Sequence, residues 1–221
     1  MKKKIFILAA IVLFLQITGL TQKARVGISG GIGISNMHSN VGGVKQYGNS
    51  KIGYTAGLII DCPIGKKFGF YPTLHYIKKG QVQKQTNTGV TGGVEKKTTV
   101  ILNYAEGTFN FIYNIKGNKG NPFVGLGPAI SFGLQGSKSV EETGGVENET
   151  EITFGKEAIN DLKGIDGGAN FILGYKFSFG LLISLNYTHG ILNLFPEPSG
   201  DDKLRNTSFG IRLGYLVKNG K

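Results

Sequence analysis

The chain is short of the residues that staple, metal-binding or nucleotide-binding proteins are built from. It holds one cysteine, Cys62, so no internal disulfide braces the fold. That residue reads as a small apolar side chain. Three histidines, His38, His75 and His189, are scattered along the sequence, which predicts no zinc centre, no other metal and no cofactor. Gly-x-x-x-x-Gly-Lys is missing, which excludes a phosphate-binding loop. Long hydrophobic runs are missing too: the apolar stretch at residues 5–15 falls short of the ~20 residues a spanning helix needs. Acid is scarce, with 14 Asp and Glu against 25 Lys and Arg and a formal charge of +11. Seven of those acids crowd into residues 141–161, in and around "EETGGVENETE", so the rest is more basic still. That stretch lacks the Asp-x-Asp-x-Asp-Gly order of a calcium loop. No basic helix or aromatic-basic sheet motif accompanies the charge, so nucleic acid is not predicted as a partner.

What is present begins with "MKKKIFILAAIVLFLQITGLTQ". Three lysines, an apolar run and then small and polar residues predict a secretory signal peptide over residues 1–21, cleaved after Thr21. Residues 22–221 are then one exported domain.

Glycine is abundant, at 36 residues against six prolines, and its placement is regular. In "ARVGISGGIGIS" Ala24, Val26, Ile28, Ile32 and Ile34 share one parity, with glycine, serine and Arg25 on the other. Period two predicts a strand with one apolar and one small or polar face. The pattern returns seven times, around Tyr54–Cys62, Phe68–Tyr76, Ala105–Tyr113, Val124–Phe132, Ala169–Tyr175, Leu181–Tyr187 and Phe209–Val217. Each stretch approaches the ~9–11 residues with which a tilted strand crosses a bilayer.

The connections alternate between long and short. Long ones span residues 36–51, 80–98, 136–161 and 193–203, while the short ones carry "PIGKK", "IKGNKGN" and "KFSFG". An even number of strands with short turns at one end and long loops at the other predicts an all-β fold: an eight-stranded antiparallel up-and-down transmembrane β-barrel of the cell outer membrane, with short periplasmic turns and long outer loops. Lysines gather in the turns (Lys66, Lys67, Lys116, Lys119, Lys176) rather than on the strands. Tyr54, Tyr76, Tyr113, Tyr175, Tyr187 and Tyr215 fall near strand ends, as an interfacial girdle requires. The apolar parity therefore faces lipid. Outer-membrane lipids and lipopolysaccharide are the expected partners, with basic turns suited to anionic headgroups. A secreted soluble β-barrel binding a small apolar ligand is the alternative, in which the apolar parity would face inward.

The domain resembles the outer-membrane β-barrel domain widespread in Bacteroidetes, which includes the PorT-like proteins. The resemblance rests on the order and spacing of "VGISGGIGISNM", "GYTAGLIIDCPI", "YPTLHYIKKG", "LNYAEGTFNFIYNI", "FVGLGPAISFG" and "FGIRLGYLV". The family commonly has proline after Tyr-x-Glu-x, where this chain has Gly107-Thr108 after Glu106. The resemblance implies location more than task, since most members have no assigned activity. The last strand is similar to the C-terminal signal read by the barrel-insertion machinery, which implies that machinery as an assembly partner.

Two sets of side chains are candidates for a site. Ser35, His38 or His189 with Asp201 or Asp202 would be the ingredients of a rim-located hydrolase, but no spacing links them, so no catalytic residues are predicted. The inward parity is more informative. Arg25, Asp61 and Arg212 all lie on it and predict an ion cluster near the periplasmic end, with Glu106, Tyr104 and His75 deeper inside. Inward charges in a low dielectric must be paired, so this cluster should plug and stiffen a narrow barrel. The predicted function is a non-enzymatic structural or accessory outer-membrane protein, with outer loops available to a surface or secretion partner.

Overall fold

The computed structural model describes residues 24–87, 94–142, 145 and 147–217; the expected leader, residues 1–21, lies outside the described residues. The strands are β1 (Arg25–Val41), β2 (Val44–Tyr47), β3 (Asn49–Ile64), β4 (Phe68–Asn87), β5 (Val94–Asn114), β6 (Gly120–Glu142), β7 (Glu147–Ile152), β8 (Ile165–Phe177), β9 (Leu181–Gly190) and β10 (Lys203–Leu216). All pair antiparallel in a single sheet, and β10 pairs back onto β1 to close it. Eight strands make the ring, in the order β1, β3, β4, β5, β6, β8, β9, β10. The short β2 and β7 hang on β1 and β6 as flaps. This is the expected up-and-down barrel.

Tight turns at residues 65–67, 115–119 and 178–180 lie at one end. Gly65 (φ 74°) and Gly180 (φ 108°) occupy left-handed backbone there, which side chains with a Cβ avoid. Both described chain ends meet at this end, where the Val217 N–H donates to the Val26 carbonyl at 2.8 Å. In barrels of this kind the short turns are periplasmic.

At the other end the expected loops are largely strand. β4, β5 and β6 run for 20, 21 and 23 residues, about twice the length a bilayer requires. Among the described residues, the segments expected as loops at 36–51, 80–98 and 136–161 therefore carry strand that continues the sheet upward, apart from the irregular 153–161; the one expected at 193–203 is irregular up to residue 202. The reason is physical. Above the bilayer both faces meet water, so apolar alternation fades, while backbone pairing needs no such pattern. Cross-strand charge pairs support the extension, Lys96 with Glu142 at 3.1 Å and Lys97 with Glu141 at 2.9 Å.

The two faces divide as the parity predicts. Phe109, Phe111, Leu126 and Leu185 point out of the ring, exposed at 39, 63, 62 and 36%. Around them stand Val26, Ile28, Ile32, Leu58, Leu74, Phe171, Ile211 and Leu213, an apolar belt that water would penalise and hydrocarbon would not. Of the tyrosines expected in the girdle, Tyr54 stacks on Tyr76 at 6.1 Å and Tyr187 lies tilted against Phe171 at 6.5 Å, all on the outer wall.

Candidate functional site: the packed lumen

Closing eight strands leaves an interior about wide enough for side chains alone. Glycines on the inward parity bring the walls close. At Gly31 a Cβ would run into the Ile211 carbonyl oxygen across the β1–β10 seam. The remaining inward residues fill the space in three layers.

The periplasmic layer is apolar. Ile59, Tyr71, Ile112, Phe123, Ile172, Leu182 and Leu216 form one buried cluster. Beside it, Asp61 accepts from Arg25 Nη2 at 2.7 Å and from Lys176 Nζ at 2.9 Å. Lys176, assigned to a turn on sequence, instead turns inward at the end of β8, with its ammonium 5.2 Å over the Phe123 ring. At the outer end a second cluster of Met37, Ile77, Leu102, Tyr104, Leu162, Leu194 and Leu204 closes the lumen, with Phe154 packed 5.9 Å from the Tyr104 ring.

Between these plugs lies the polar middle. Glu106, wholly buried, accepts from Lys79 Nζ at 2.7 Å and from the Ser131 hydroxyl at 3.0 Å, with Arg212 Nη2 at 3.6 Å. Lys79 also stands 3.9 Å from Asp166, which accepts from Asn206 Nδ2 at 2.9 Å. Two cations thus face two anions inside the barrel. Below them, Ser29 Oγ and His75 Nε2 share a 2.7 Å hydrogen bond, and His75 Nδ1 reaches Thr73 Oγ1 at 3.1 Å. The chain continues through Thr108 to Asn110.

The expected Arg25–Asp61–Arg212 cluster is therefore split. Arg25 and Asp61 pair, but Arg212 pairs with Glu106. Register is the cause: Arg25 lies opposite Asp61, whereas Arg212 lies opposite Gly31, six residues further along β1 and so ~20 Å away. Tyr104 joins the outer plug, with Lys79 Nζ 5.4 Å over its ring. Lys79, Asp166 and Lys176 were missed, although each continues the inward parity of its strand: Lys79 follows His75 and Ile77, Asp166 precedes Gly168 and Asn170, Lys176 follows Ile172 and Gly174.

The hydrolase ingredients are held apart. Ser35 points inward, its hydroxyl donating to the Gly80 carbonyl at 3.0 Å and accepting from the Gly80 N–H at 2.8 Å. His38 lies edge-on to Tyr47, His189 stacks on Tyr187, and Asp202 accepts from the Gly42 N–H. Among the described residues no group of three His, Cys, Asp or Glu side chains is placed to hold a metal ion.

Residues 16–196 match the family model described as outer membrane protein beta-barrel domain. The chain belongs to that family. Its apolar belt accordingly faces the lipid of the outer membrane, and its lumen is the interior of a membrane barrel. Solved structures similar to this outer-membrane barrel include OprG from Pseudomonas aeruginosa, 12% identical over 89% of this chain and 97% of that one, with a TM-score of 0.45. The attachment invasion locus protein Ail of Yersinia pestis is 11% identical over 88% and 99%, at 0.42. The outer-membrane enzyme PagL is 13% identical over 84% and 99%, also at 0.42. At such identities and scores none of them lends this chain an activity. Among curated proteins no relative matches.

Proposed function

We propose that this protein is a non-enzymatic, non-conducting barrel with a structural or accessory role, in which the membrane part is a sealed support and the tall outer hairpins are the working surface. The observation that carries this reading is the layered lumen. Among the described residues, voids of about 30 Å³ beside Lys79 and Arg212 and about 10 Å³ beside Asp166 touch the central ion cluster. Those volumes hold one or two waters. Neither void is large enough for a hydrated ion, and an apolar cluster packs at each end of the lumen. The separation of Ser35 from His38, His189 and Asp202 supports the absence of hydrolase chemistry. The order of motifs along the strands supports a PorT-like barrel of the Bacteroidetes kind, and the final strand supports delivery by the barrel-insertion machinery after removal of residues 1–21. A secretion or surface partner would meet β4–β7, the part that stands highest above the membrane.

Recording in planar bilayers tests the sealed lumen. Purified full-length protein inserted into the bilayer should leave the current at baseline across ±100 mV (about 2.3 kcal/mol per charge, enough to drive ions through an open pore). Stepwise openings at any voltage in that range would overturn the reading.

A further inference from the structure

The lipid-facing wall is overlaid by outer segments on one side of the barrel. On four strands the outward row turns polar directly above its last apolar residue: Asn36 above Ile34, Lys78 above Tyr76, His189 above Tyr187, and Thr207 with Arg205 above Phe209. On β6 and β8 it runs apolar up to Leu134 and Ile165, with Gln135 and Lys163 next above them. Phe132, Leu134 and Ile165 remain exposed, with Phe132 opposite Ile165 in the register.

Two outer segments, residues 153–164 and 191–202, come together over this sector. The Lys163 N–H donates to the Leu194 carbonyl at 2.8 Å, and the N–H groups of Ile191 and Leu192 both donate to the Gly167 carbonyl, at 2.8 and 3.0 Å. Gly167 lies on the outward parity of β8, between Ile165 and Ala169. Leu192 Cδ1 stands 2.8 Å from where a Cβ on Gly167 would be. The missing side chain thus lets Leu192 lie down on the outer wall. The result is a groove of about 670 Å³ lined by Ile165, Leu192 and Pro196 together with Lys156 and Lys163. Among the described residues neither lysine takes part in a salt bridge.

We propose that this groove holds one phosphorylated lipid of the outer leaflet, with its acyl chain against Ile165 and Leu192 and its phosphate on Lys156 and Lys163. Two observations choose that occupant. The apolar lining is continuous with the wall that already faces lipid, and the two cations without a carboxylate partner stand where that wall leaves the apolar layer, the depth of headgroup phosphates. A soluble apolar ligand would use the lining and leave the cations idle; an acidic peptide would do the reverse. The proposal rests on the outer-membrane placement and is independent of the sealed lumen.

The test uses the full chain in phosphatidylcholine nanodiscs doped with bisphosphorylated lipid A, counting lipid A retained per barrel by native mass spectrometry. Wild-type protein should retain one molecule. K156Q/K163Q should raise the lipid A concentration needed for half retention on the order of tenfold, while K45Q/K203Q, on another part of the outer rim, should leave it unchanged. Dephosphorylated lipid A should bind the wild type as weakly as the phosphorylated form binds K156Q/K163Q. Equal retention by wild type and K156Q/K163Q, equal loss in K45Q/K203Q, or indifference to the phosphates would each overturn the site. All these lysines lie outside the packed lumen, and an unchanged heat-modified shift on gels verifies that each variant is folded. A barrel that retains lipid A as expected yet conducts current would fail the lumen reading alone.

Discussion

Glu106 answers to two cations that are both buried, which makes it costlier to remove than Asp61, whose two cations include the part-exposed Arg25. In Glu106→Ala the ammonium of Lys79 keeps only Asp166, at 3.9 Å, and Arg212 loses the carboxylate it faces. Breaking a buried pair from one side costs about 3–5 kcal/mol, because the abandoned charge stays in a low dielectric. Urea unfolding of the protein in lipid vesicles should show a loss of that size. Asp61→Ala should cost less, because only one of its two cations, Lys176, is buried, while the side chain of Arg25 is 30% exposed and water can take over part of its role. A larger loss for Asp61→Ala than for Glu106→Ala would refute this ordering. Parity alone made Arg25, Asp61, Arg212, Glu106, Tyr104 and His75 legible as inward residues, since lipid and lumen demand opposite chemistry of alternate positions. Their partners were not legible. Stagger between strands decides which inward residues share a level, and no single strand records its stagger; hence Arg212 meets Glu106 and not Asp61.

At the scale of the strand, glycine governs how closely the walls approach. Gly31 faces Arg212 across the seam, and a methyl group there meets backbone and not a flexible side chain. Gly31→Ala should therefore slow or block closure, read as a reduced fraction of the heat-modifiable folded band during refolding into detergent micelles. Refolding at the wild-type yield would show that the seam has slack. The strands also explain where sequence reading stopped. The eight crossings were recoverable because each is amphipathic with period two. The upper halves of β4, β5 and β6 were not, because there polar residues occupy both faces and the pairing is carried by the backbone with support from pairs such as Lys97–Glu141.

The whole molecule is asymmetric from end to end: three tight turns below, tall hairpins above. Its acid is concentrated near the top, with Glu141, Glu142, Glu149 and Glu151 all exposed on β6 and β7. A glutamate-specific protease added to intact cells should cut between residues 141 and 151 and leave two fragments that still migrate together without heating, since both remain within one closed sheet. Cleavage only after the cells are broken would reverse the assigned orientation.

The meeting of β1 and β10 has a consequence for biogenesis. Until residues 203–216 have been delivered, the first strand and the ninth each carry a row of unsatisfied amides and carbonyls, which hydrocarbon cannot solvate. A chain halted at residue 202 has no stable way to reside in the bilayer. Insertion must therefore wait for the closing strand to be made, and the periplasm has to shelter a polypeptide with seven crossings already made whose greasy flank has nowhere yet to go.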